Sequence, residues 1–169
     1  ALIALACNDL AMKHHTTIGD CAPIIYSQEG PKMMGEKFQS PLRARFRSLA
    51  KRNGYPEALT EAMVTADMTV YEIQQDGEIR YIDKVAYDDL TDEEKQKITA
   101  KRTVVAEGEL LTMDDVEAKK LGFSEMSVES IEEMLERMDT GPFRIVRIEE
   151  VWSESFVRRS EERRVGKEC

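Results

Sequence analysis

The sequence predicts an α/β protein, and three observations carry that prediction. Residues 36–53 place Phe38, Leu42, Phe46 and Leu49 on one face at helical spacing. Residues 68–87, "MTVYEIQQDGEIRYIDKVAY", alternate apolar and polar side chains around Asp76-Gly77, a hairpin signal. Helical and extended segments then alternate along the rest of the chain, the α/β pattern. A length of 169 residues suits one domain with a sizeable core.

The elements follow in order. Leu2, Ile3, Leu5, Ala6 and Leu10 leave residues 2–11 apolar almost all round, which predicts a helix buried on most sides. "LAMKHHTTIGDCAPII" brings β-branched residues, Gly19 and Pro23, and reads as short strands and turns. "YSQEGPKMMGE" is polar, with Gly30, Pro31 and Gly35, and reads as a mobile loop. The helix over 36–53 tolerates Pro41 near its start and ends at Asn53-Gly54. A second helix is expected over 56–67, "PEALTEAMVTAD".

After the hairpin, "DDLTDEEKQKITAKR" is charged and reads as helical or as an exposed excursion, and "TVVAEGELL" as a strand. "LTMDDVEAKKLGF" predicts a short helix with Thr112 as N-cap, Asp115 three residues on, and Gly122 closing it. "FSEMSVESIEEMLERMDTG" predicts another helix, with Val128, Ile131, Leu135 and Met138 as its stripe. "FRIVRIEEVW" reads as a strand. The tail 159–169, "RSEERRVGKEC", has no apolar periodicity. It resembles a translated sequencing-adapter read-through and is set aside as non-native. No internal repeat is visible.

Composition narrows the function. Lys and Arg number 24 against 33 Asp and Glu, a net charge of -9. That balance argues against a nucleic-acid binder, which needs clustered cations for phosphate. Arg43, Arg45, Arg47, Lys51 and Arg52 are the exception, read as a solvated helix face. No apolar run approaches the ~20 residues of a membrane span, and no signal-peptide pattern is present. Cys7, Cys21 and Cys169 lack a zinc-ligand spacing, so no metal is expected. Cys7 reads as a small buried residue, and a Cys7–Cys21 disulfide stays open.

No complete catalytic set is visible from the residues alone. His14-His15 are the only histidines, and neighbours on a strand face opposite ways, so a surface or turn pair is the simpler reading. Ser27, His15 and Asp20 have no spacing that supports a triad. Gly30, Gly35 and Lys37 do not make a phosphate loop. Lys37 stands where the polar loop meets the amphipathic helix, beside Phe38. A lysine desolvated by an apolar face can act as a neutral general base, although many such lysines only cap or snorkel.

"ALIALACNDLAMKHHTTIGDCAPI" resembles the segment following the catalytic serine in ClpP-class serine proteases of the NfeD group, relatives of the signal peptide peptidase SppA. In that family a Ser-Ala-Gly stretch runs into an apolar helix, then Asp-x-Ile/Leu-x-Met, then Pro-Gly-Thr-x-Ile-Gly. This chain has Ala1 to Ala6, then Asp9-Leu10-Ala11-Met12, then Thr16-Thr17-Ile18-Gly19. It departs at His14-His15, where the family has Pro-Gly. "LLTMDDVEAKKLGFSE" resembles a later family segment.

The resemblance implies a ClpP/crotonase-like layered spiral. Residues 1–67 and 109–158 would belong to the protease core, lacking its front part, with a hairpin-containing insertion or flap at 68–108. It places the nucleophile serine upstream of Ala1, so the chain as it stands is expected to be inactive. Counting back from Ser48-Leu49-Ala50 makes Lys37 the general base of a Ser–Lys dyad, with Lys32 as the fallback. Ile18, Gly19, Asp20 and Cys21 would line the substrate cleft, where an extended peptide pairs with a strand edge. The implied protein is a membrane-associated, extracytoplasmic endopeptidase of bacterial type, homo-oligomeric and without cofactor. It would act on membrane-linked polypeptides and meet the membrane through segments outside this chain.

Two other readings stay open. One is a catalytically dead scaffold of the same fold. The other is a crotonase-like acyl-CoA enzyme, which would bind coenzyme A without depending on Lys37. A ClpP-like Ser–His–Asp enzyme is disfavoured because both histidines precede Gly19.

Overall fold

The computed structural model describes residues 1–139 and 141–146. The chain divides after Met134, and the unit Ala1–Met134 holds all nine strands assigned among the described residues. It opens with α1, Leu2–Leu5, a single turn in which Leu5 is buried and Ile3 is 85 % exposed. The expected longer, enclosed helix does not form. Asn8 and Asp9 follow it, and such side chains compete for nearby backbone groups and favour turns. Cys7 is exposed rather than buried, and both Cys7 and Cys21 are free thiols.

Strands β1 (Ala11–Lys13) and β2 (Thr17–Gly19) follow, as the β-branched run predicts. Next come β3 (Ile24–Ser27) and β4 (Gly30–Met33), an antiparallel hairpin turning at Gln28-Glu29. Ile24 and Ile25 lie in the stretch read as short strands and turns, but residues 26–36 were expected to be a loop. Ile24, Ile25 and Tyr26 favour extended backbone strongly enough to override the polar composition around them.

The amphipathic helix α2 spans Glu36–Asn53, as expected, and ends at Gly54, whose N–H bonds the Ala50 carbonyl. Phe46 and Ala50 are buried, and Leu42 and Leu49 pack against the core, but Phe38 is 54 % exposed. The buried face therefore runs through Gln39 rather than Phe38. Helix α3, Glu57–Ala62, is shorter than expected. It tightens into three-residue turns, Met63 N–H to Thr60 O and Val64 N–H to Glu61 O, and carries on as buried irregular chain.

The two helices are joined by an ion pair. Arg47 forks onto Glu61, with Nε–Oε1 at 2.5 Å and Nη2–Oε2 at 2.6 Å. Arg43 pairs with Glu36, and Lys51 lies 3.4 Å from Glu57. Three cations of the basic face are thus met by carboxylates.

The predicted hairpin is β5 (Val70–Gln75) and β6 (Glu78–Asp83), joined by Asp76 at φ 53° and Gly77 at φ 83°. Both central residues are left-handed, as a turn matched to strand twist requires. Helix α4 (Lys84–Asp88) takes the end of the stretch read as hairpin, and α5 (Asp92–Gln96) lies in the charged excursion. Strand β7, Ile98–Val105, starts earlier than expected and completes the antiparallel order β6-β5-β7. Its charged residues are used across the ladder. Arg102 stands opposite Glu72 and binds it at 2.6 Å, and Lys101 Nζ lies 3.8 Å from the Tyr71 ring and 3.6 Å from Tyr87.

Strand β8, Thr112–Asp114, pairs antiparallel with β2, so Thr112 is a strand residue and not the expected cap. Asp114 caps α6 (Asp115–Lys120), in a capping box with Glu117. Met126–Val128 is strand β9, parallel to β1, where a helix was expected; pairing with β1 outweighs the helical stripe. Helix α7 spans Ile131–Arg137. Beyond it, Phe143–Val146 carries no strand, and the rest of the expected strand and the tail 159–169 lie outside the described residues.

The core gathers around Leu5, Phe46, Leu59, Met63, Met113 and Phe123. Tyr55 stacks on Phe123 with ring centroids 5.7 Å apart and donates its hydroxyl to the Cys7 carbonyl at 3.0 Å. Burial raises the Tyr55 pKa.

Candidate active site

The expected cleft residues sit at the end of β2. Ile18 pairs with Met113, and Gly19 with Thr112. Gly19 has φ +135°, and a Cβ there would stand 2.1 Å from the Leu111 carbonyl oxygen and 2.7 Å from Thr112 Cα. Only glycine fits that approach. Beyond the strand, Asp20 N–H donates to Leu111 O at 3.0 Å and Cys21 N–H to Met63 O at 2.7 Å. The Cys21 thiol bonds the Gly19 carbonyl at 3.1 Å. Ile18 and Cys21 pack against the core, while the Asp20 side chain is exposed. The segment is a backbone-anchored ledge.

Lys37 is the second residue of α2, and its side chain is exposed. The expected desolvation by Phe38 is absent, because Phe38 faces outward with it. Lys32, on β4, is ion-paired with Glu29. Pro41 cannot donate to the Lys37 carbonyl four residues back, which loosens the first turn of the helix. Ser48 and Leu49 line an apolar groove of about 550 Å³ with Leu2 and Ile3. That groove lies about 16 Å along α2 from Lys37 by helical rise. It is not part of the Lys37 site.

The ledge and the helix start are connected through the loop before α2. Met34 N–H donates to the Pro23 carbonyl at 2.8 Å, and the Met34 carbonyl accepts from Gln39 Nε2 at 2.7 Å. Gln39 is 8 % exposed. The sequence reading missed this residue. A polar side chain in register with Phe46 and Ala50 on the buried helix face was the available signal.

A second cluster was also missed. His14 and His15 form the β1–β2 turn, with His15 at φ 61°. His14 Nδ1 is 3.0 Å from Asp115 Oδ2, and His15 N–H donates to Asp115 Oδ1 at 3.0 Å. Asp115 is 4 % exposed. Hydrogen bonds from Ser127, the His15 N–H and the His14 ring hold its carboxyl below the usual range against the opposing effect of desolvation. The histidines are a turn pair, as the simpler reading expected, but one fastened to α6. Among the described residues no group of acidic, histidine and cysteine side chains could hold a metal ion. No described helix is long and apolar enough to cross a membrane.

Set beside known proteins, this is a mixed α/β fold structurally related to a protease fold. The similar solved structures are of the 1510-N membrane-bound stomatin-specific protease. A serine-to-alanine mutant is 24% identical, with a TM-score of 0.51, over 80% of this chain and 46% of that one. A lysine-to-alanine mutant in complex with a substrate peptide is 20% identical, with a TM-score of 0.57, over 92% of this chain and 60% of that one. The chain thus spans about half the length of the structures it matches, and identities this low establish the fold alone. No protein-family profile matches the chain, and no curated protein sequence is significantly similar to it.

Proposed function

We propose that the chain is part of a Ser–Lys serine endopeptidase of the ClpP-class, NfeD/SppA-like group, acting on membrane-linked polypeptides. The observation that carries the reading is the position of Lys37, which opens a helix hydrogen-bonded through Met34 to the segment after Ile18–Cys21. Support comes from a fold similar to that of a protease, one of whose solved structures is a lysine mutant with a substrate peptide bound. The protein core is read as a partial ClpP/crotonase-type spiral, with 68–108 as its insertion.

In this mechanism the serine comes from polypeptide ahead of Ala1. Lys37, as the neutral amine, takes the serine proton as the oxygen attacks the peptide carbonyl. The resulting ammonium returns the proton to the leaving amine, and water then hydrolyses the acyl-enzyme. The segment Ile18–Cys21 lines the cleft in which the substrate lies extended. Lys37 is exposed in the chain alone, so the reading requires bound substrate and upstream polypeptide to cover it. That same exposure favours a second reading, a non-catalytic homologue that binds peptides on the same ledge.

The test is a serine-directed fluorophosphonate probe, together with the coding sequence ahead of Ala1. The protease reading expects a serine codon there and labelling of the complete gene product, with no labelling of residues 1–169 alone. Labelling of the isolated chain, or another residue at the serine position, contradicts it.

A further inference from the structure

Both main-chain polar groups of Met34 are hydrogen-bonded, and each bond leads to one half of the candidate site. Its N–H reaches Pro23, which follows the ledge Ile18–Cys21, at 2.8 Å. Its carbonyl takes the amide of Gln39, which follows Lys37 on α2, at 2.7 Å. We propose that Gln39 is a positioning residue that ties the start of α2, and with it Lys37, to the ledge through Met34. The proposal rests on the Ser–Lys reading and deepens it.

Three observations support the assignment. Gln39 occupies a buried position shared with Phe46 and Ala50, where packing alone calls for an apolar side chain. A buried amide is costly there unless it is hydrogen-bonded, and the bond it makes is the one to Met34. The helix start also lacks the usual fastening. Its N-cap is Gly35, which has no capping side chain, and Pro41 withholds a bond from the Lys37 carbonyl. Finally, the Met34–Pro23 bond continues the β3–β4 ladder past its last pair, Ile24 with Met33. Gln39 therefore ties the helix entry to the residue whose N–H closes the hairpin. The ledge itself is held independently by Leu111 and Met63. What Gln39 sets is where Lys37 stands relative to it.

The experiment compares Gln39→Leu and Gln39→Glu by amide hydrogen exchange in the 169-residue chain. Leucine keeps most of the volume and removes the donor. The Met34 N–H keeps its bond to Pro23 in this variant, so its exchange reads how firmly the turn is held, and its protection should fall roughly tenfold as the loss of the buried Gln39 bond loosens that turn. Amides of the β5–β7 ladder should keep theirs. Glutamate presents a carboxylate to the Met34 carbonyl, so protection should be low at neutral pH and recover as the carboxyl takes up a proton and becomes a donor. Unchanged Met34 protection in the leucine variant overturns the proposal. If that variant unfolds, pH-independent protection in the glutamate variant overturns it instead.

In the complete gene product, Gln39→Leu should lower kcat about tenfold with little change in KM, and an unchanged kcat overturns the positioning role. Activity that survives Lys37→Ala defeats the Ser–Lys reading and any positioning of a base. Hydrogen exchange then still decides whether Gln39 makes the tie.

Discussion

The imidazole Nδ1 of His14 lies 3.0 Å from Oδ2 of Asp115, a contact between residues 101 apart in sequence. The carboxylate can only accept, so the ring carries its proton on Nδ1. The other carboxylate oxygen takes the His15 N–H, which pins a turn whose second residue sits at φ 61°. His14 N–H also bonds the Val128 carbonyl at 3.0 Å, and β2 pairs with the strand just before Asp115. Asp115 thus stands where the β1·β9 and β2·β8 pairs meet.

Asp115→Asn should destabilise the protein at neutral pH and flatten its acid limb. The folded carboxyl titrates below its unfolded value, so its stabilisation is present above the unfolded pKa and is lost as pH falls through the folded one. Thermal melts between pH 3 and pH 7 measure this, on the order of the window the carboxylate range defines. The wild type should lose stability more steeply than the variant below about pH 4. Parallel curves would contradict the assignment.

Gly19→Ala should cost about 3 kcal/mol, at the upper end for forcing a methyl group into packed backbone. The added carbon has no room beside Leu111 and Thr112. Urea unfolding gives the value, and a loss below about 0.5 kcal/mol, the size of a neutral surface change, would show that the β2–β8 approach is looser than described.

Glu61→Ala should cost about 2 kcal/mol, the usual scale for a hydrogen bond to a charged group. Glu61 is buried and accepts from Nε and Nη2 of the Arg47 guanidinium, whose pKa its hydrogen bond raises. Arg47→Ala should lose more, because it leaves the buried Glu61 carboxylate without its cation, whereas Glu61→Ala frees a half-exposed guanidinium to water. Equal losses from the two variants would count against a buried acceptor at Glu61.

Lys101→Met should cost about 1 kcal/mol, because the ammonium sits over two tyrosine rings at the edge of the β5–β7 ladder. Lys101→Arg should retain most of the stability. Denaturant titration of the three proteins checks both statements.

Much of the fold was legible where signals are local. The α2 helix, its end at Gly54 and the Asp76-Gly77 turn form as read, because each depends on neighbours in sequence, although Gln39 and not Phe38 starts the helix's buried face. The misreadings fall where distant partners decide. Met126–Val128 becomes a strand because β1 lies beside it, and β7 extends through charged residues because Glu72 and two tyrosines meet them. Thr112 lost the cap to Asp114 because it was needed opposite Gly19.

At the candidate site, Lys37 and the ledge could be named from their motifs. Their connection could not be, because it runs through a main-chain carbonyl and one buried amide. Asp115 gave no sequence signal toward His14 at all.

The most direct test of the central claim is peptide turnover by the complete gene product carrying Lys37→Ala, beside wild type and Lys32→Ala. The account predicts that Lys37→Ala lowers kcat by roughly 10²–10⁴-fold, the scale of a lost general base. Lys32→Ala, which removes only a surface ion pair, should leave turnover near wild type. Wild-type turnover in the Lys37 variant would contradict the Ser–Lys assignment.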